Sequence, residues 1–154
     1  MPTPIIWPVS TPTSAATPAT SSDASLGIDV GSFVGDPAGI DPGFGLISGI
    51  DAVAQCVARR LLTPRGTLVD APDVGIDLRG YLNEAITDAM LSQIRSDVVQ
   101  EATGDERVLD AAAEVSFDAT TGTLTVQVQG DTATGPFQLA LAVTSMTATL
   151  LQAE

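Results

Sequence analysis

The chain has 154 residues and a formal charge of -13, and it is 44% hydrophobic but only 4% aromatic. That length predicts one folded domain plus an appendage, with a core built from Ala, Val, Leu and Ile. All six positive side chains are arginines, and with a pI near 4.1 and no basic stripe the chain is a poor partner for nucleic acid or for an anionic membrane surface.

Residues 1–25 are rich in Pro, Ser and Thr, with prolines at positions 2, 4, 8, 12 and 18 that block both helix and sheet ladder. The stretch reads as an extended or disordered N-terminal arm. Ile5, Ile6 and Trp7 are its one compact apolar group, the anchor that an arm ordering on a partner would use. The prolines and the missing positive start argue against a signal peptide. Residues 26–47 carry glycines at 27, 31, 35, 39 and 43 without the Lys of a phosphate-binding loop. This predicts an irregular lead-in, with Asp36-Pro37 and Asp41-Pro42 as turn starters. Residues 48–154 form the main domain.

The first helix is expected over about residues 48–63, where Ile50, Val53, Ala54, Val57, Ala58, Leu61 and Leu62 fall on one face. Ser48 and Asp51 resemble a capping box, Arg59 and Arg60 suit the C-terminal dipole, and Pro64 and Gly66 end the helix. Asp70, Asp73 and Asp77 do not have calcium-loop spacing and read as turn and cap residues. Asp77 is placed as N-cap of a short helix beginning at Leu78, and Thr87 or Asp88 as the cap of a longer one. The apolar stripe of that longer helix is Met90, Leu91, Ile94, Val98 and Ala102, and Gly104 is its expected C-terminal glycine.

The hydrophobic period then changes to two. Leu109, Ala111, Ala113, Val115 and Phe117 share a face, as do Leu124, Val126 and Val128. DATTG and GDTATG are turn candidates, and a last strand follows in which Phe137, Leu139, Leu141 and Val143 alternate before the phase slips near Met146. The expectation is an α+β domain, with two to three N-terminal helices packed on a small antiparallel C-terminal meander. Residues 137–151 contain no charged side chain, so Phe137, Leu139, Leu141 and Val143 mark an edge able to take a strand from another chain.

Catalytic chemistry has few carriers. With no His and no Lys, the Ser-His-Asp and Cys-His devices, His-bearing zinc sites and Schiff bases are excluded. Cys56, the only cysteine, reads as a packed side chain and forms no intrachain disulfide. A hydrolase would need paired carboxylates. Glu84, Asp88, Glu101 and Glu106 are formal candidates that no sequence context marks, so the chain reads as non-enzymatic, with no cofactor and no metal. No apolar run is long enough to span a membrane.

Three motifs in order resemble the baseplate wedge and sheath-initiator family of contractile phage tails: RRLLTPRGTL at 59–68, PDVGIDLRGYL at 72–82, and GDERV at 104–108. They are similar to that family's helix exit, its Pro-x-x-Gly segment and its Glu-Pro-Arg-Val junction. Arg107 and Val108 match the junction directly, while Asp105 stands for Glu and Glu106 for Pro. The resemblance implies a virion protein of the tail baseplate, assembled in the host cytoplasm. Asp105, Glu106 and Arg107 would bind the wedge core, and the sheet would template the first sheath ring by strand exchange. Implied partners are other wedge proteins, the tail sheath protein, and tube or hub proteins. The same motifs serve type VI secretion and extracellular injection systems.

Overall fold

The structure is a computed structural model that describes residues 23–33 and 36–153. It is an α+β fold whose core lies between two helices and one face of a four-stranded antiparallel sheet. A 3-10 turn, Asp23–Leu26, comes first, and Leu26 is buried in the core.

The lead-in is more ordered than its glycines predict. Strand β1 (Ile28–Val30) pairs with β4 (Leu46–Ser48), and β2 (Ser32–Phe33) pairs with β3 (Asp36–Ile40), all antiparallel. Strands therefore precede the first helix, and the helices are not all N-terminal. Asp36-Pro37 lies in β3 rather than in a turn. Asp41-Pro42 does start a turn: the Asp41 carbonyl accepts from Phe44 N at 2.9 Å, and its carboxylate accepts from Gly45 N at 2.9 Å.

Helix α1 (Gly49–Leu62) buries Val53, Ala54, Val57, Ala58, Leu61 and Leu62, as its periodicity predicts. The expected Ser48 capping bond is absent, and the helix opens on Gly49 at φ 64. Arg59 does more than face the helix dipole. It pairs with Asp29 and donates to the Val30 carbonyl at 3.1 Å, while Gln55 accepts from Ser32 N at 2.7 Å. The Arg59 bonds strap β1 to α1, and the Gln55 bond ties β2 to the same helix. Helix α2 is a single turn (Leu78–Tyr81), with Asp77 before it at a left-handed φ of 53 and making no side-chain cap bond. Helix α3 (Asp88–Thr103) is capped by Thr87, whose hydroxyl accepts from Met90 N at 3.3 Å.

The sheet runs β5 (Val108–Asp118), β6 (Thr123–Thr132), β7 (Gly135–Val143), β8 (Ala148–Ala153), in that spatial order. Val115, Val126, Leu141 and Leu150 form one cross-strand row, and Phe117, Leu124, Val143 and Ala148 the next. Both rows face α1 and α3, and each fully buried Val or Leu contributes about 2 kcal/mol by leaving water. A bulge between Val108 and Asp110 turns Val108 inward and Leu109 to solvent, against the expected face. Gly130 is a packing requirement: a Cβ there would lie 2.3 Å from the Phe137 ring.

The expected last strand is two strands. The phase slip near Met146 is a turn, in which Thr144 N donates to the Thr147 carbonyl at 2.7 Å and reverses the chain. Strand β7 is therefore an inner strand, hydrogen-bonded to β6 on one side and β8 on the other. The reading of Phe137, Leu139, Leu141 and Val143 as an exposed edge is thereby corrected. All four side chains are buried, because strict alternation reports which face is covered and says nothing about the strand's neighbours. The terminal strands of the sheet are β5 and β8.

Candidate functional site

The junction from α3 to β5 is built by residues 104–108. Gly104 ends α3 in right-handed conformation (φ -71), so the glycine is not there for a left-handed cap. A Cβ there would sit 2.8 Å from the Arg60 guanidinium, which would have to shift to admit it. Asp105 and Val108 then close a turn, with Val108 N donating to the Asp105 carbonyl at 3.0 Å.

Within that turn Arg107 folds back. Its Nε donates to Asp105 Oδ1 at 2.8 Å, one terminal nitrogen to Oδ2 at 2.6 Å, and its backbone N–H to Oδ1 at 3.0 Å. The other terminal nitrogen donates to the Leu26 carbonyl at 3.1 Å. The guanidinium thus joins the 3-10 turn, the end of α3 and the start of β5. Asp105 is only 6% exposed. Burial alone would raise its pKa, but the Arg107 hydrogen bonds and charge more than offset this and lower it to about 2. Asp105 in turn holds the Arg107 pKa above its ordinary value.

A second ionic construction adjoins the first. Glu101, expected as no more than one of several formal acid candidates, is buried, forms an ion pair with Arg60 at 2.9 Å, and accepts from Arg65 at 3.4 Å and Gly75 N at 3.0 Å. Arg65 Nε donates to the Gly75 carbonyl at 3.0 Å. Gly75 itself has φ 104, and a Cβ there would lie 2.2 Å from the Thr63 carbonyl oxygen. The segments 59–68 and 72–82 are locked together through this carboxylate. Sequence reasoning passed over Glu101, although its place among Val98 and Ala102 on the apolar stripe of α3 was the available signal.

An open cleft of about 620 Å³ lies over the junction, lined by Ser25, Gly27, Arg60, Asp105, Glu106 and Arg107 among others. Of the three residues expected to bind a wedge core, Asp105 is buried, Arg107 is half-buried and turned onto its own chain, and Glu106 is exposed. Asp105, two residues upstream, holds the Arg107 side chain in this position. The lining of the cleft offers both charged and hydroxyl side chains. Cys56, beside the pair, is half-buried, and burial followed by the Asp105 charge pushes its thiol pKa up. Among the described residues, no group of three or more His, Cys, Asp or Glu could hold a metal ion. No helix there is long and apolar enough to cross a membrane. Ile5, Ile6 and Trp7 lie outside the described residues.

No family model matches the chain, and no curated protein matches it.

Proposed function

We infer that this chain is a structural component of a contractile-tail baseplate, joining a wedge core to the first sheath ring. The observation that carries the reading is the convergence of the three motifs on one polar construction. Arg60 and Arg65 of the first, Gly75 of the second and Gly104 of the third all meet around Glu101, and Arg60 continues into the Asp105–Arg107 cleft. Motifs that share one construction are under one structural demand, which supports treating them as a set.

Two surfaces follow for the two partners. The wedge core would meet the cleft, with Glu106 on its rim and Arg107 held ready by Asp105 below. The sheath would meet β8, the terminal strand that carries no charged side chain, whereas β5 bears Asp110, Glu114 and Asp118. Charges on an edge discourage strand addition, so β8 is the better acceptor. The test is sedimentation of native lysate from the source, with the chain tracked by mass spectrometry. Co-migration with very large particles that also contain a sheath-sized protein is expected. A chain that stays at monomer or dimer size while such particles are present overturns the reading.

A further inference from the structure

The β1–β4 ribbon is tied to α1 on one face and exposes apolar side chains on the other. Asp29 and Ile47 are paired on one face, and there Asp29 is tied to Arg59 of α1. Val30 and Leu46 are paired on the opposite face, which Ile28 shares. On that face Ile28 is 56% exposed and Leu46 is 67% exposed, and Phe44, two residues before Leu46, is 69% exposed.

Phe44 is also held in a backbone conformation that favours glycine, at φ 51, although Gly43 and Gly45 flank it. Its own N–H is bonded to the Asp41 carbonyl, and the Asp41 carboxylate is occupied by Gly45 N. The turn therefore fixes an exposed aromatic side chain two residues from the exposed Leu46. Clustered, rigidly presented apolar groups of this kind mark a docking surface.

We propose that the ribbon face formed by Ile28, Phe44 and Leu46 is the seat for Ile5, Ile6 and Trp7 of the same chain. The described chain begins at Asp23, five residues before Ile28, so residues 1–22 are tethered beside the seat. The stretch from Trp7 to Asp23 reaches up to about 50 Å when extended, ample for the anchor to fold back onto the ribbon. Such a short tether holds the anchor at an effective concentration on the order of millimolar, which favours it over a separate molecule. Charge fits as well: all nineteen acidic residues lie from Asp23 onward, and residues 1–22 carry no charged side chain. Docking thus desolvates no ionised side chain of the arm. Pro4 and Pro8 bracket the anchor and reduce the conformational freedom it loses on binding. The proposal does not depend on the baseplate reading.

Trp7 is the only tryptophan, so its fluorescence reports the anchor directly. In the full chain, blue-shifted Trp7 emission and weak quenching by acrylamide are expected. Phe44→Ser should move the emission toward that of free tryptophan in water and raise quenching several-fold, with an unchanged circular dichroism spectrum. If Phe44→Ser disturbs the fold, Leu46→Ser gives the same reading from another exposed position. Water-like emission in the unmodified chain overturns the proposal, as does protection that neither substitution alters. Protection that fades on dilution, together with dissociation of a dimer in sedimentation, also overturns it by assigning the seat to the arm of a second copy.

Discussion

Arg107 and Asp105 are two residues apart, and that spacing decides what the arginine does. An arginine among acids reads from sequence as a fork aimed at a partner, yet here all three of its side-chain nitrogens donate within the chain. Arg107→Ala would leave the Asp105 carboxylate buried without its cation and should destabilise the fold by about 3 kcal/mol. Thermal unfolding of the variant at neutral pH measures this, and an unchanged midpoint would show the pair to be dispensable. The same pair gives the fold an acid dependence. The Asp105 pKa falls from 3.8 to about 2 on folding. Its stabilisation, about 2 kcal/mol, is present above the unfolded pKa and is lost as pH falls from about 4 to 2. In Arg107→Ala that portion of the acid transition should disappear.

At the scale of elements, the loop between α1 and α2 is held by Gly75 and Glu101 together. Gly75→Ala places a methyl group into the Thr63 carbonyl at a φ of 104 and displaces the amide that Glu101 accepts. A loss on the order of 3 kcal/mol is expected, since strain and a broken buried hydrogen bond act together. Denaturant unfolding checks it, and a loss below about 1 kcal/mol would show that the loop relaxes freely.

Helices α1 and α3 and the inward faces of β6 and β7 were legible in the sequence because periodicity reports burial directly. Four features were not. The ribbon strands β1 to β4 are too short for a period to show, and they depend on Arg59 and Gln55, distant in sequence. The Thr144–Thr147 turn contains neither Gly nor Pro, so the sequence showed only a phase slip there, a bulge or a strand end. The bulge at Leu109 reversed a side chain that strict alternation assigned inward. The Glu101 cluster joins residues brought together only by the loop's own fold.

For the whole molecule, the proposed function makes assembly turn on β8, the last strand of the sheet. Leu151 sits beside a register shift between β7 and β8 and is 59% exposed, so replacing it does not open the core. Leu151→Lys puts a charge on the one terminal strand that lacks any, the device by which natural edges resist pairing. Under the proposed function, the variant should fold normally, bind the wedge components and fail to recruit sheath. Sheath recruitment at the normal level would remove β8 from the proposal.

The distribution of ion pairs has a further consequence for how copies of this chain meet. Four of the six arginines, at 59, 60, 65 and 107, form salt bridges with Asp29, Glu101 and Asp105 of the same chain. Those cations are neutralised by the chain's own carboxylates, and a neighbour approaching from outside meets the field of a chain with net charge -13. Two copies side by side repel each other until counterions intervene, over a range of about 10 Å at 0.1 M ionic strength. Any self-association should therefore strengthen as salt is raised, the reverse of a complex held by opposite charges. Sedimentation velocity across a salt series reads the sign: tighter association at low salt would mean that attractive contacts, and not this acidic exterior, govern how the copies are spaced.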